Sequence, residues 1–152
     1  MSAPADRPNP REYPARPWVG IGVLAFRGPE VLLIRRGRPP RLGEWSLPGG
    51  AQRLGETAEA AARRELLEET GIEVGPLDLL AVVDAITPDN EGRPRFHYTI
   101  IDYVARWVAG EARPGGDVTD VAWADSADPV AYRLWPEAMR VIATARRRLG
   151  LE

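Results

Sequence analysis

Cysteine is absent from this 152-residue chain. That excludes a disulfide framework and any thiolate metal site. Histidine occurs once, as His97, within a strand-like run that suits a structural or surface role. Long hydrophobic runs are also missing. The longest apolar stretches, residues 19–26 and 31–34, are too short to span a bilayer. Residues 1–16 contain no apolar segment of the kind a secretory signal needs, so a cytoplasmic location is expected. Neither sign of charge dominates: 20 basic against 22 acidic residues leave a net charge of −2. No global basic field is present to recruit nucleic acid or an anionic membrane. What remains is 44% hydrophobic and 28% charged, the composition of a globular domain with a substantial core.

Five prolines fall in the first 17 residues, so residues 1–17 are expected to form a flexible, extended arm. The arm is also a candidate contact in a homodimer. Residues 18–152 are expected to form a single domain. Residues 19–26 and 31–36 are strand-like around Gly28-Pro29 and predict a hairpin. Residues 39–50 carry so much proline and glycine that they read as loop. A helix follows, with Thr57 as N-cap and Gly71 as the stop. Residues 77–86 and 96–108 predict two strands across a turn-rich 88–94, and residues 121–123 a short third. Residues 136–149 predict a second helix, with Ala138, Ile142, Ala145 and Leu149 as its apolar stripe. The order β-β-α-β-β-β-α predicts an α/β fold, a mixed sheet with helices on both faces.

The chemistry concentrates in the first helix. Glu65, Glu68 and Glu69 stand at i, i+3 and i+4, which places three carboxylates on one helix face. They lie near the negative end of the helix dipole, where acids are unfavourable. A divalent cation would turn this arrangement into a site, because hard cations take carboxylate oxygens. Taken alone, such a trio reads as a solvated acidic face, with Arg64 and Glu68 as an i, i+4 pair.

The surrounding residues change that reading. Residues 50–72 run Gly50, five residues, Glu56, seven residues, then Arg64-Glu65-Leu66-Leu67-Glu68-Glu69-Thr70-Gly71-Ile72. The stretch resembles the Nudix box at every constrained position, and Trp45-Ser46-Leu47-Pro48-Gly49 resembles the family's lead-in. The resemblance implies a Nudix fold, an α/β/α sandwich with a mixed central sheet. It implies Mg²⁺- or Mn²⁺-assisted hydrolysis of a nucleoside diphosphate linked to another moiety, a small-molecule nucleotide substrate. By position, Glu65, Glu68 and Glu69 would be metal ligands, and Glu65 would also orient or deprotonate the water. Arg64 would orient a box carboxylate. Glu56 would brace the loop–helix turn, with an outer metal role. A later acid completes the site in some relatives, and Glu111, Asp117 and Asp120 are all open.

Arg35, Arg36 and Arg38 are candidates for substrate phosphates, or else a polar strand end. Trp18, Phe96 and Tyr98 are candidates for base stacking, or else packing. Arg146, Arg147 and Arg148 read as a solvated helix end. ADP-ribose hydrolases of the family tend to carry a proline 16 residues after the box, and Pro88 stands there. The tyrosine that marks dinucleoside-polyphosphate hydrolases, two positions later, is replaced by Asn90. ADP-ribose or a nucleotide sugar is therefore the expected substrate. A nucleoside triphosphate pyrophosphohydrolase, including one that removes oxidised nucleotides, is the alternative. A non-catalytic nucleotide-sensing Nudix domain is a third reading.

Overall fold

A computed structural model of the chain describes residues 9–38 and 41–151. Strands β1 (Trp18–Arg27) and β2 (Glu30–Arg36) form the expected hairpin, with Phe26 opposite Val31. Two short strands follow, β3 (Trp45–Ser46) and β4 (Gly49–Ala51), then helix α1 (Ala58–Thr70). Strands β5 (Glu73–Val74), β6 (Asp78–Pro88), β7 (Pro94–Ala109) and β8 (Val118–Asp125) lead to helix α2 (Pro136–Arg148).

β1 runs parallel to β7 over nine register pairs and antiparallel to β2 and β4. β6 and β5 flank β7, and β8 and β3 pair with β2, so the eight-stranded sheet is mixed. Both faces of β1 are apolar, as a strand covered on both sides requires. Ile21, Val23 and Ala25 pack beneath α1 with Ala61, Ala62 and Leu66. Leu24 and Phe26 pack on the other face with Ala138, Val141, Ile142 and Ala145 of α2. The result is the α/β/α sandwich.

α1 begins where the Thr57 side chain accepts a hydrogen bond from the Ala60 N–H at 3.0 Å. It ends at Gly71, whose φ of 74° suits glycine far better than any side-chain-bearing residue. The alanines of α1 let the helix lie close to the sheet. No helix among the described residues is long and apolar enough to cross a membrane.

Three local expectations change. Residues 39–50 are not all loop, because β3 pairs with Ile34 and Arg35 while β4 pairs with Gly20, Ile21 and Gly22. These pairings use backbone groups, so glycine does not prevent them. The short strand expected at 121–123 extends over all of β8. Arg146 is not simply solvated: its guanidinium donates to Ser126 Oγ and to the Leu151 carbonyl, both at 2.7 Å.

The expected arm divides. Residues 1–8 lie outside the described residues. Residues 9–17 lie against the β6–β7 turn, where the Tyr13 N–H donates to the Arg95 carbonyl at 2.7 Å. The Tyr13 hydroxyl donates to Asp89 at 2.8 Å, and Arg95 pairs with Glu12 at 3.2 Å.

Candidate active site

β4 is the template on which the acidic face of α1 rests. The Gly49 N–H donates to Glu69 Oε1 at 2.7 Å. Gly50 leaves the space that the Glu65 carboxyl occupies: a Cβ there would stand 2.5–2.7 Å from it. Glu68 lies at the rim, with its side chain 48% exposed. The three acids therefore share a face but differ in environment. Burial pushes the Glu69 carboxyl up to about 7; the Gly49 hydrogen bond opposes the shift and the Glu65 charge adds to it.

Arg64 ties the face to the loop before the helix. Its Nε and Nη2 grip the two oxygens of Glu56 at 2.6 and 2.9 Å. Its Nη1 reaches Glu65 at 2.8 Å and Glu68 at 3.3 Å, and Nη2 also donates to the Ala51 carbonyl. Hydrogen bonds from Arg64, then from the Arg53 N–H, hold the Glu56 carboxyl down at about 2. With both oxygens engaged, Glu56 serves as a brace for the box loop.

Among the described residues, no three acidic or histidine side chains converge closely enough to cage a metal as they stand. Arg64 neutralises one side of the group and Glu69 is held to β4. The donor chemistry still fits a hard divalent cation. Three carboxylates line the last turns of one helix, and half-buried Glu69 is one whose charged form a cation would stabilise.

In front of this face lies a cleft of about 410 Å³, lined by Arg11, Trp18, Arg38, Arg53, Glu65, Glu68 and Asp117 among others. Arg11 sits over the Trp18 ring at 5.2 Å, and Arg38 pairs with Asp117 at 3.1 Å. Of the three later acids left open, Asp117 is the one at the cleft. Glu111 and Asp120 do not line it; the Asp120 carboxyl accepts from the Val121 N–H.

Of the other sequence candidates, Arg36 stands near enough to Glu69 for its charge to oppose the rise of that carboxyl's pKa, and the rest lie away from the acidic face. Arg35 donates to the Gly43 carbonyl at 2.9 Å. Arg36 is partly buried, and burial, followed by the neighbouring Arg41 and Arg38 charges, lowers its pKa. Pro88 is exposed at the end of β6, opposite Pro94, and does not line the cleft. His97 faces Ile86 across the β6–β7 ladder. Arg11 and Arg53 were not singled out by sequence. Arg53 falls at an unconstrained box position, and no local pattern marks Arg11.

A family model described as the NUDIX domain matches residues 16–145. The chain belongs to the Nudix family. It therefore carries a Nudix domain, of a family that depends on divalent metals and acts on small nucleotides. An ADP-ribose pyrophosphatase of Methanocaldococcus jannaschii is 34% identical over 109 residues, 72% of this chain and 62% of that protein. A Mycobacterium tuberculosis protein provisionally named 8-oxo-dGTP diphosphatase 2 is 52% identical over 70 residues, 45% of this chain and 48% of that protein. The chain thus spans about half to under two thirds of these relatives' lengths. The Nudix domain of Shewanella oneidensis NrtR, solved in complex with ADP ribose, matches with a TM-score of 0.74 at 26% identity. That match covers 88% of this chain and 89% of the other.

Proposed function

We propose that the protein hydrolyses the diphosphate linkage of ADP-ribose or a nucleotide sugar, giving a nucleoside monophosphate and a sugar phosphate. The observation that carries this reading is the acidic face of α1, of which Glu65 and Glu68 line a cleft rimmed by Arg11, Arg38 and Arg53. A diphosphate is anionic and repels an attacking hydroxide. Glu65, Glu68 and Glu69 would hold Mg²⁺ or Mn²⁺, which supplies charge neutralisation and a more acidic water.

The chain's own residues supply the rest. The arginines offer hydrogen-bond forks to the phosphates. Trp18 offers a flat apolar wall at the cleft. Glu65, backed by Gly50 and fixed by Arg64, would orient the water and accept its proton. One bond forms from the water oxygen to phosphorus, one P–O bond of the anhydride breaks, and the departing phosphate carries the electron pair.

The ADP-ribose complex of the Shewanella domain and the name of the Methanocaldococcus relative support ADP-ribose as the first substrate to test. The 52% identity to the Mycobacterium relative supports a second reading, nucleoside triphosphate pyrophosphohydrolysis. A panel of ADP-ribose, nucleotide sugars, nucleoside triphosphates and 8-oxo-dGTP with Mg²⁺ separates them by product. AMP and ribose 5-phosphate from ADP-ribose are expected. Pyrophosphate released from triphosphates, with ADP-ribose left intact, would transfer the assignment to the second reading. Nucleotide binding without turnover of any compound would replace both with a sensing role.

A further inference from the structure

Each acid lining the cleft already holds an arginine. Glu65 and Glu68 hold Arg64 at 2.8 and 3.3 Å, and the Arg53 guanidinium stands 3.9 Å from Glu68. Asp117 holds Arg38 at 3.1 Å. Of the three arginines that rim the cleft, two are therefore engaged by its acids. Arg11 is different. Among the described residues no carboxylate pairs with it, and no acceptor takes its guanidinium N–H groups. Its guanidinium lies over the Trp18 ring at 5.2 Å. Contact with a ring occupies the face of a guanidinium and leaves its in-plane fork of donors open. Such a fork matches the oxygens of a phosphate.

Local structure fixes Arg11 from both sides. A tight turn closes where the Glu12 N–H donates to the Asn9 carbonyl, and the Asn9 side chain accepts from the Arg11 N–H, both at 2.9 Å. Tyr13 follows with a φ of 49°, in the left-handed region that bulky side chains rarely adopt. Such a conformation persists only where surrounding contacts over-determine it. Here the Tyr13 N–H donates to the Arg95 carbonyl and its hydroxyl to Asp89. Asp89 is itself fixed, accepting from the Glu91 and Arg93 N–H groups and from Arg93 Nε. These groups are largely exposed, so their return in stability is small. What they fix is the turn that sends Arg11 back to Trp18. Trp18 in turn lies three residues, roughly 10 Å, along β1 from Ile21, which faces Gly50 behind Glu65. Arg11 thus stands at the end of the cleft away from the box carboxylates.

We infer that Arg11 is the entry contact for the substrate's diphosphate, the cleft arginine that binds it before any metal does, and that Tyr13 positions Arg11 for this. The inference deepens the proposed function and rests on a diphosphate substrate in this cleft. Arg38 and Arg53 answer to the acids first. A phosphate that approaches either of them meets Asp117 or Glu68 at the same time, and like charges at that range repel. Arg11 offers its charge with no paired acid to displace. Once a divalent cation engages the carboxylates, Arg38 and Arg53 become available to the same phosphates. The ligand class follows from the fork: it holds an oxyanion, and an uncharged nucleoside gives it nothing comparable.

The test is calorimetry of ADP-ribose and pyrophosphate binding in excess EDTA, where no turnover intervenes, with thermal melts to check each variant's fold. Wild type should bind both compounds. Arg11→Ala should weaken both roughly ten- to hundredfold, the worth of hydrogen bonds to a charged group. Arg11→Lys, which keeps the charge and gives up the fork, should lose less. Arg38→Ala and Arg53→Ala should stay within about threefold under these metal-free conditions. Tyr13→Phe should weaken binding roughly two- to tenfold in wild type and add nothing to Arg11→Ala, because it acts through Arg11. An equal loss in both backgrounds would remove Tyr13 from the positioning role. Failure of wild type to bind either compound without metal, unchanged affinity in Arg11→Ala, or an equal loss in Arg38→Ala would overturn the inference. If Mg²⁺ brings no hydrolysis of any panel compound but the Arg11-dependent binding remains, the inference stands and the hydrolase reading falls.

Discussion

Gly50→Ala adds one methyl group at the back of the proposed catalytic carboxylate. Gly50 is not among the residues with positive φ, so its backbone conformation is open to alanine. The new Cβ would lie 2.5 Å from the Glu65 carboxyl carbon, whereas ordinary contact begins at 3.4 Å. The carboxyl must therefore withdraw by 3.4 − 2.5 = 0.9 Å, away from β4 and against its 2.8 Å bond to Arg64. Because the atoms that must move are the end of a flexible side chain, the fold should lose little. The chemistry should lose much: a misplacement of about 1 Å costs on the order of 10²-fold in rate, or about 2.7 kcal/mol of barrier. Gly49→Ala is the contrast. Its Cβ would collide with the Ile21 carbonyl, which is backbone and cannot yield cheaply. Steady-state hydrolysis of the panel substrate and thermal melts read the two effects. Gly50→Ala should lower kcat with a nearly native melting temperature, and Gly49→Ala should lower the melting temperature itself. Wild-type kcat for Gly50→Ala would refute the placement of Glu65 in the reaction.

Glu69→Gln keeps the Gly49 hydrogen bond but removes the half-buried charge, so turnover with Mg²⁺ should fall by about 10²-fold or more while the metal-free protein melts no lower than wild type. Retained turnover would remove Glu69 from the metal set. Tyr13→Phe deletes the hydroxyl that fastens residues 9–17, which carry Arg11 to the cleft, to Asp89. KM should rise roughly two- to tenfold, the worth of one hydrogen bond, with kcat unchanged; an unchanged KM would separate that segment from substrate binding. Asp102→Asn should flatten part of the pH dependence of stability. Burial raises the Asp102 carboxyl from 3.8 to about 7, so between those values the folded protein holds a proton that the unfolded chain has lost. The Asp102 contribution to stability should therefore fall as pH rises through that window, by no more than about 4 kcal/mol, and stay level above it. Denaturant titrations at pH 4.5 and 7.5 should show a smaller difference for the variant.

The family and its acidic helix face were legible in the chain and the surroundings of each acid were not, for a reason of range. Thr57, the alanines and Gly71 signal α1 through contacts within a few residues, and the box acids inherit their common face from that helix. The stripe on α2 and the β1–β2 hairpin are similarly local. β4 was missed because its glycines carry no side-chain pattern, and its pairing depends on Gly20, Ile21 and Gly22 some thirty residues earlier. Glu56 and Glu69 look alike as letters in a motif. They separate only when Arg64 grips one and the Gly49 N–H receives the other. The fastening of Tyr13 to Asp89 spans 76 residues. Asp102 is the sharpest case. In sequence it is one acid in an apolar strand, a common enough exception to alternation. Its meaning comes from the parallel register that sets it beside Gly22, 80 residues away, and from the lack of any donor around it. A contiguous motif can hold a diphosphate because its ligands sit on one helix. The pairing of Asp102 with Gly22 draws on two parallel strands, which only a long crossover can bring together.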